Sequence, residues 1–374
     1  MTHLRASPLL EAQRAHGGVA ADYHGQAVVR HFGDPHGEYA AATASAAVFD
    51  RSHRARLAVT GRSPRKMLNG ILTGTIPSPP AATVGGVLGG TATYHALLTP
   101  KGKMITDLWC LCRAESDDSG DFLLDVPVAG REGLLANLRK ILPPRLAKVE
   151  DESDDTASIS VVGPAAALHV SRLALGLRVG ADELTALPEG GWRMAGTSLD
   201  GGSGPRGTDG VYVMRAAEVW PEAYTMYAST GAIEALWGAL VHGGARPAGL
   251  GVWTTLRVEA GRPAFGTDMD EDTIPVEAGI HERAIDYKKG CYTGQEVIVR
   301  IRDRGHVNRH LRQLMLGDVP TPRRGADLFV EGSGQPVGHV TSAVESPKFG
   351  QTVALGYVRR GVEGVVVLRT PPSV

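Results

Sequence analysis

Beyond Arg300 the chain loses helical periodicity. Runs such as HLRQLML, ADLFV, VGHVTSA and GVVVLR are short, strand-like and separated by Gly/Pro turns. Such a stretch offers no helical layer, so it is expected to close on itself as a small all-β module of roughly 65 residues, a barrel or sandwich. The body before it alternates strand and helix patterns as an α+β protein does. At 374 residues the chain exceeds what one core usually organises, so more than one domain is expected. The expected division is an α+β region over 1–300 and a C-terminal β-barrel over 301–374.

Within the body, EYAAATASAAVFD reads as a helix ending near Phe49, and ARLAVTG as a strand. GRSPRKMLNGIL reads as a helix with Ser63 as N-cap and Pro64 as its first residue. The Pro/Gly-rich stretch 73–90 reads as a loop. Two strands follow, TATYHALL and MITDLWCLC, joined by the turn TPKGK, and FLLDVPV continues them beyond the acidic tip ESDDSGD. REGLLANLRKIL places Leu134, Leu135, Leu138, Ile141 and Leu142 on one helical face. VEDESDD and 196–210 read as loops, and ASISVVGPAAALHVSRLAL as a strand running into a helix.

A net charge of −1 advertises neither nucleic acid nor membrane. Three cysteines, Cys110, Cys112 and Cys291, make a disulfide framework implausible, and their spacing suggests no metal site. The N-terminal stretch has no apolar core of signal-peptide length and no run approaches a membrane span, so a cytoplasmic protein is expected.

Four segments carry candidate chemistry. Alternation along MITDLWCLC sends Ile105, Asp107, Trp109 and Leu111 to one face and Met104, Thr106, Leu108, Cys110 and Cys112 to the other. A carboxylate among large apolar neighbours needs a partner or a raised pKa. The plainer alternative is an Asp at a strand edge bonded to backbone amides. In TTLRVEAGRPAFGTDMDEDTIPVEAGI, Arg257 and Glu259 alternate along an expected strand as a candidate ion pair. The acidic run Asp268, Asp270, Glu271, Asp272 lacks the residue order of an EF-hand and reads as a solvated turn.

In KKGCYTGQEVIVR, Gly290 and Gly294 free the backbone ahead of a strand-like run, and Lys288 and Lys289 would lower the thiol pKa of Cys291. The alternative is a small buried hydrophobe, since most free cysteines are of that kind. Finally RIRDRGHVNRHLR carries Arg300, Arg302, Arg304, Arg309 and Arg312, a basic edge for RNA or an anionic cofactor tail. With no interleaved aromatics, a solvated strand edge is the plainer reading.

FDRSHRARLAVTG with MLNGILTG, YHALLTPKGKMITDL, LRVEAGRPAFGTDMDEDTIPVEAGI and KGCYTGQEVIVRIRDRG resemble, in this order, the folate-binding, glycine-cleavage T-protein-like family. KGCYTGQE and HFGDPHGEY look like its YgfZ-type branch, whose members are implicated in iron–sulfur protein maintenance and tRNA modification. The resemblance covers about residues 20–345. It implies two interlocked α+β domains, with boundaries near 110–150 and 250, and a C-terminal barrel around a channel that holds tetrahydrofolate or a related folate.

The resemblance also implies site residues. Asp107 would sit at the folate's reacting nitrogen and Tyr94 would line the pterin slot. Glu222 would be an approximate stand-in for a pterin-gripping glutamate. Trp253 stands where the aminomethyltransferases carry an arginine, just before the segment holding Arg257 and Glu259. Losing two polar contacts argues against true aminomethyl transfer. The expected signature loop is Lys289, Gly290, Cys291, Tyr292, Gly294, Gln295 and Glu296, with Cys291 as a functional thiol. Folate and iron–sulfur client or assembly proteins are the implied partners, and tRNA is a weaker one. A tetrahydrofolate-dependent aminomethyl or methyl transferase, and an RNA-binding accessory, are the competing functions.

Overall fold

A computed structural model describes residues 5–83, 86–196, 210–216, 218–331, 334–362 and 366–368. The architecture is α+β with a C-terminal β module, as expected. Two large sheets form the body. One has five strands, in the order Lys148–Asp151, Ala55–Gly61, Ser119–Val126, Met104–Ser116, Thr93–Leu98, all neighbours antiparallel. The other has eight, in the order Arg246–Ala248, Ala47–Asp50, Thr156–Val162, Ala223–Ser229, Gly210–Ala216, Gly191–Gly196, Leu88–Thr91, Ala81–Ala82. The chain enters the larger sheet, crosses to the smaller, returns at 81–91, crosses again, and finishes the larger one after residue 156. Neither sheet can therefore form from one continuous piece of chain.

The strand Met104–Ser116 shows how the two sheets meet. Its Leu108, Cys110 and Cys112 join Leu134, Leu135 and Leu138 of helix Arg131–Ile141 in one core. Its Trp109 and Leu111 pack with Trp192, Tyr212, Met214 and Tyr227 of the other sheet. The alternation read from the sequence holds from Thr106 to Cys112, and both faces are buried there. At the start of the strand a register shift between Leu97 and Leu98 breaks it, so that Ile105 packs against the core of Leu108 and Met104 joins another core with Leu98 and Phe265. Helices Ala166–Leu173 and Thr230–His242 cover the outer face of the larger sheet.

From Arg309 onward five strands form one sheet in the order Arg309–Gly317, Gln351–Arg359, Pro336–Ser346, Asp327–Val330, Val366–Leu368, and its first and last strands approach each other. A small sheet from Arg5–Ala6, Val19–Tyr23 and Gln26–His31 precedes the body. No helix among the described residues is long and apolar enough to cross a membrane.

Several local expectations fail for physical reasons. The alanine-rich stretch does not stay helical to Phe49. Helix Pro35–Ala44 stops at Ser45, and Ala47–Asp50 is a strand between Thr156–Val162 and Arg246–Ala248. The stretch 73–90 holds the edge strands Ala81–Ala82 and Leu88–Thr91, and VEDESDD begins inside the strand Lys148–Asp151. Ser63 precedes Pro64 as expected but makes no side-chain cap bond. Most of 196–210 lies outside the described residues.

Two expected strands are helices. Leu250–Glu259 buries Val252, Trp253 and Leu256 at helical spacing, against strand Gln26–His31 and the barrel strand Pro336–Ser346. Gln295–Arg304 starts at Gly294, whose φ of 83° and close approach to the carbonyl of Thr99 demand a glycine. In both, β-branched residues suggest a strand and tertiary packing overrides that preference.

Candidate active site

The face of strand Met104–Ser116 that carries Trp109 also carries Asp107, and there it opens on a cavity of about 330 Å³. The cavity lies where three parts of the fold meet. Tyr94 and Asp107 come from the five-stranded sheet, Trp253 from helix Leu250–Glu259, Arg262 from the following loop, and Thr341 and Ser342 from the C-terminal module.

Asp107 is 7% exposed. The hydroxyl of Tyr94 donates to its Oδ2 at 2.6 Å. Its Oδ1 is buried and has no partner among the described residues. Burial pushes the Asp107 carboxyl up, against the Tyr94 hydrogen bond and the charge of Arg54. Burial and then Asp107 push the Tyr94 hydroxyl well above its usual range, so Tyr94 remains a donor. The guanidinium of Arg283 lies 4.7 Å from the centre of the Tyr94 ring and is held in turn by Glu189.

A second carboxylate faces the same space. Glu218 follows the strand Gly210–Ala216, and its Oε1 accepts from Trp109 Nε1 at 3.1 Å. Its Oε2 accepts from Arg51 Nη2 at 3.2 Å. Burial works against its charge, but Arg54, Arg51 and Arg283 together hold its carboxyl below the usual range. Arg51 follows the strand Ala47–Asp50, and its guanidinium carbon sits 3.8 Å from the Trp253 ring centre. Trp253 meets Phe49 edge-on at 5.4 Å. Nearby His53 is held neutral: burial, then Arg51, Arg54 and Arg56, push it well below its usual value. Arg54 is bound by Asp125 at 2.9 Å, and Tyr227 also donates to Asp125 at 3.0 Å.

The opposite wall is a buried latch. Asp268 accepts from Arg257 Nη1, Thr341 Oγ1 and Ser342 Oγ at 2.6 Å each, and from the Ala264 amide at 3.0 Å. Arg257 also donates to Ser342 and to the carbonyl of Arg262. Although it lines the cavity, its guanidinium serves to join the helix, the loop and the C-terminal module.

The family model for the GCVT N-terminal domain matches residues 9–289, and that for the glycine cleavage T-protein C-terminal barrel domain matches 309–366. The chain belongs to the glycine cleavage T-protein family. An aminomethyltransferase of Rubrobacter xylanophilus is 30% identical over 99% of this chain and 91% of its own length. One from Halalkalibacterium halodurans is 26% identical over 99% and 95%. The crystal structure of the glycine cleavage system aminomethyltransferase T from Bartonella henselae superposes with a TM-score of 0.80 at 22% identity, over 99% of this chain and 95% of that one, a likeness of fold.

Within this T-protein fold the expected residues divide. Asp107, Tyr94, Trp253 and Arg257 line the cavity. Glu222 does not. It leads into the strand Ala223–Ser229, takes the hydroxyl of Tyr224 and pairs with Arg215 at 3.6 Å, while Glu218, four residues earlier, lies at the cavity. The expected Arg257–Glu259 pair is absent, because residues two apart on a helix point in different directions. Glu259 accepts from Tyr39 at 2.9 Å and from Ser346 instead. The acidic run is not wholly solvated either, since Asp268 is buried in the latch.

The loop 289–296 lies outside the cavity lining. Cys291 is exposed. Lys289 donates to the carbonyls of Leu72 and Gly74 at 2.7 and 2.8 Å, and burial brings its pKa down to about 8. Tyr292 packs into a core with Met104 and Phe265. Gly290, Gln295 and Glu296 stand at or before the first turn of helix Gln295–Arg304. Two of the five arginines in 300–312 already have acidic partners: Arg302 pairs with Asp303, and Arg309 with Glu277. Among the described residues no cluster of His, Cys, Asp and Glu forms a metal site.

Arg51, His53, Arg54 and Glu218 are functional candidates that the sequence reading passed over. Their signal is visible afterwards. DRSHRAR is a dense polar run immediately ahead of an apolar strand, and AEVWPE holds two glutamates four residues apart.

Proposed function

We propose that this protein is a tetrahydrofolate-dependent one-carbon transferase of the aminomethyltransferase kind, acting in the cavity at Asp107. The observation that carries this reading is the buried Asp107 Oδ1, which has no partner among the described residues. An unpaired buried acceptor costs about 1–3 kcal/mol, a cost offset when a ligand brings a donor to it. Tetrahydrofolate, when bound, supplies the nitrogens that take up a one-carbon unit. Tyr94 fixes one carboxylate oxygen of Asp107 and leaves the other to orient the ligand and to stabilise positive charge as it develops. Glu218 offers an anionic edge to ring N–H groups, and Trp253 an aromatic wall. The contacts whose loss argued against aminomethyl transfer have counterparts here, a carboxylate at Glu218 and a guanidinium at Arg51.

The test is formation of methylenetetrahydrofolate from an aminomethyl donor. Wild type should turn over, and Asp107→Asn should bind tetrahydrofolate but turn over far more slowly. Folate binding without product from any lipoyl-linked or N-methyl donor contradicts the reading.

A second reading, iron–sulfur protein support of the YgfZ type through Cys291, is favoured by the exposure of that thiol. A cluster held there would need further ligands from a partner. Full complementing activity of Cys291→Ala in cells lacking the protein would remove this reading and leave the first intact.

A further inference from the structure

Arg51 is the least satisfied buried cation of the cavity. Its side chain is 6% exposed, yet it makes one described side-chain hydrogen bond, to Glu218, and otherwise lies over the indole of Trp253. A guanidinium carries five N–H donors in a planar fork, so most of its donors have no acceptor among the described residues. A buried, charged, under-bonded donor set that lines a cavity is built for an acceptor on a ligand.

Glu218 is incomplete in a complementary way. Each of its oxygens takes one donor, Trp109 or Arg51, while a carboxylate has about four acceptor sites. The pair thus presents adjacent free acceptors and free donors. One edge of a tetrahydrofolate pteridine has the matching order: a 2-amino group and a ring N–H that donate, then a 4-oxo group that accepts. We propose that Arg51, braced on Trp253 and tied to Glu218, reads the 4-oxo group, so that the cavity selects 4-oxo- over 4-amino-pteridines. This rests on the folate reading above and adds to it a specificity-determining residue and the ligand group it recognises.

Trp253 gives the arrangement its rigidity. Phe49 fixes the indole from the side, and the stacked guanidinium keeps its N–H edge free for in-plane bonds. An amino group in place of the 4-oxo group sets a donor against the donors of Arg51, which leaves both unpaired.

The experiment compares tetrahydrofolate with its 4-amino counterpart, tetrahydroaminopterin, which has the same oxidation state. Dissociation constants are measured calorimetrically for wild type, Arg51→Met and Arg51→Lys, with thermal melts to confirm folding. Wild type should prefer the 4-oxo ligand about tenfold or more, the scale of a lost hydrogen bond to a charged group. Arg51→Met should lose that factor for tetrahydrofolate alone, so the preference shrinks to the part carried by the ring N–H at Glu218, which the 4-amino ligand lacks. Arg51→Lys should restore part of it, because an ammonium keeps the charge but not the stacked fork. If Arg51→Met does not fold, Arg51→Lys decides: a preference equal to that of wild type overturns the proposal. Equal binding of the two ligands by wild type, or an unchanged preference in folded Arg51→Met, overturns the proposal and leaves the folate reading standing. Failure of folded wild type to bind either ligand overturns both.

Discussion

The cavity around Asp107 and the loop around Cys291 handle charge in opposite ways. In the cavity the groups are buried or half-buried and, among the described residues, incompletely paired: Asp107 keeps a free oxygen, Arg51 keeps free donors, and Glu218 is held ionised by surrounding arginines. On the loop Lys289 is tied to backbone carbonyls, while the thiol lies exposed and away from the cavity lining. Burying polar groups without full pairing is costly, so it marks where a ligand completes the structure. Lys289 is better explained as a clasp between its loop and residues 72–74. A conspicuous motif and an energetically unfinished site are separate things in this protein.

The largest effect expected is at Asp107. Asp107→Asn should lower kcat by about 10²–10⁴-fold while changing tetrahydrofolate affinity far less. Because the folded-state carboxyl is raised, activity that needs the carboxylate should fail, as pH drops, at a higher pH than for an ordinary aspartate. The same shift means that an ionised Asp107 destabilises the fold, a penalty present in full above the folded pKa and relieved as pH falls towards the ordinary aspartate range. Asp107→Asn should therefore unfold at a higher denaturant concentration than wild type at pH 7. An Asn variant that is both active and less stable would erase the contrast between cavity and loop.

Next is the latch that closes the cavity. Asp268→Ala leaves the buried Arg257 without its carboxylate partner and should cost about 3–5 kcal/mol in urea unfolding, as breaking a buried ion pair does.

Lys289 comes third. Lys289→Met strips a donor from the Leu72 and Gly74 carbonyls and should cost about 1–3 kcal/mol. Its folded pKa, about 8, lies below the unfolded value of 10.5, so between those values the unfolded chain binds more protons. Wild-type stability should gain from this group as pH climbs through that window, and the Met variant should lose that gain. Identical pH–stability curves would contradict the clasp.

Cys291→Ala should be the mildest change, within about 0.5 kcal/mol as expected for a surface site, with tetrahydrofolate binding unaltered. A strong loss of binding would place the loop in the folate site after all.

The sequence is most readable where one period controls burial. Thr106–Cys112 alternates cleanly, so both its faces and the position of Asp107 can be read directly, whereas the register shift opposite Met104 and Ile105 cannot; the short strands after Arg309 read equally well. Helices Leu250–Glu259 and Gln295–Arg304 do not, because their Val, Ile and Thr residues suggest strands and only neighbouring elements make them helical. Folding also decides between Glu218 and Glu222, four residues apart, by sending one to the cavity and the other to Arg215. Arg51 is hidden in the sequence for a similar reason: Trp253 lies some 200 positions away, and only the parallel pairing of the strands that precede them, Ala47–Asp50 and Arg246–Ala248, brings them together.

The most direct measurement is a calorimetric titration of tetrahydrofolate into wild type, Glu218→Ala and Cys291→Ala. Binding should be present in wild type, intact in Cys291→Ala and weakened about tenfold or more in Glu218→Ala, since the loss removes a charged hydrogen-bonding edge. Binding that survives Glu218→Ala unchanged but disappears in Cys291→Ala would contradict the account.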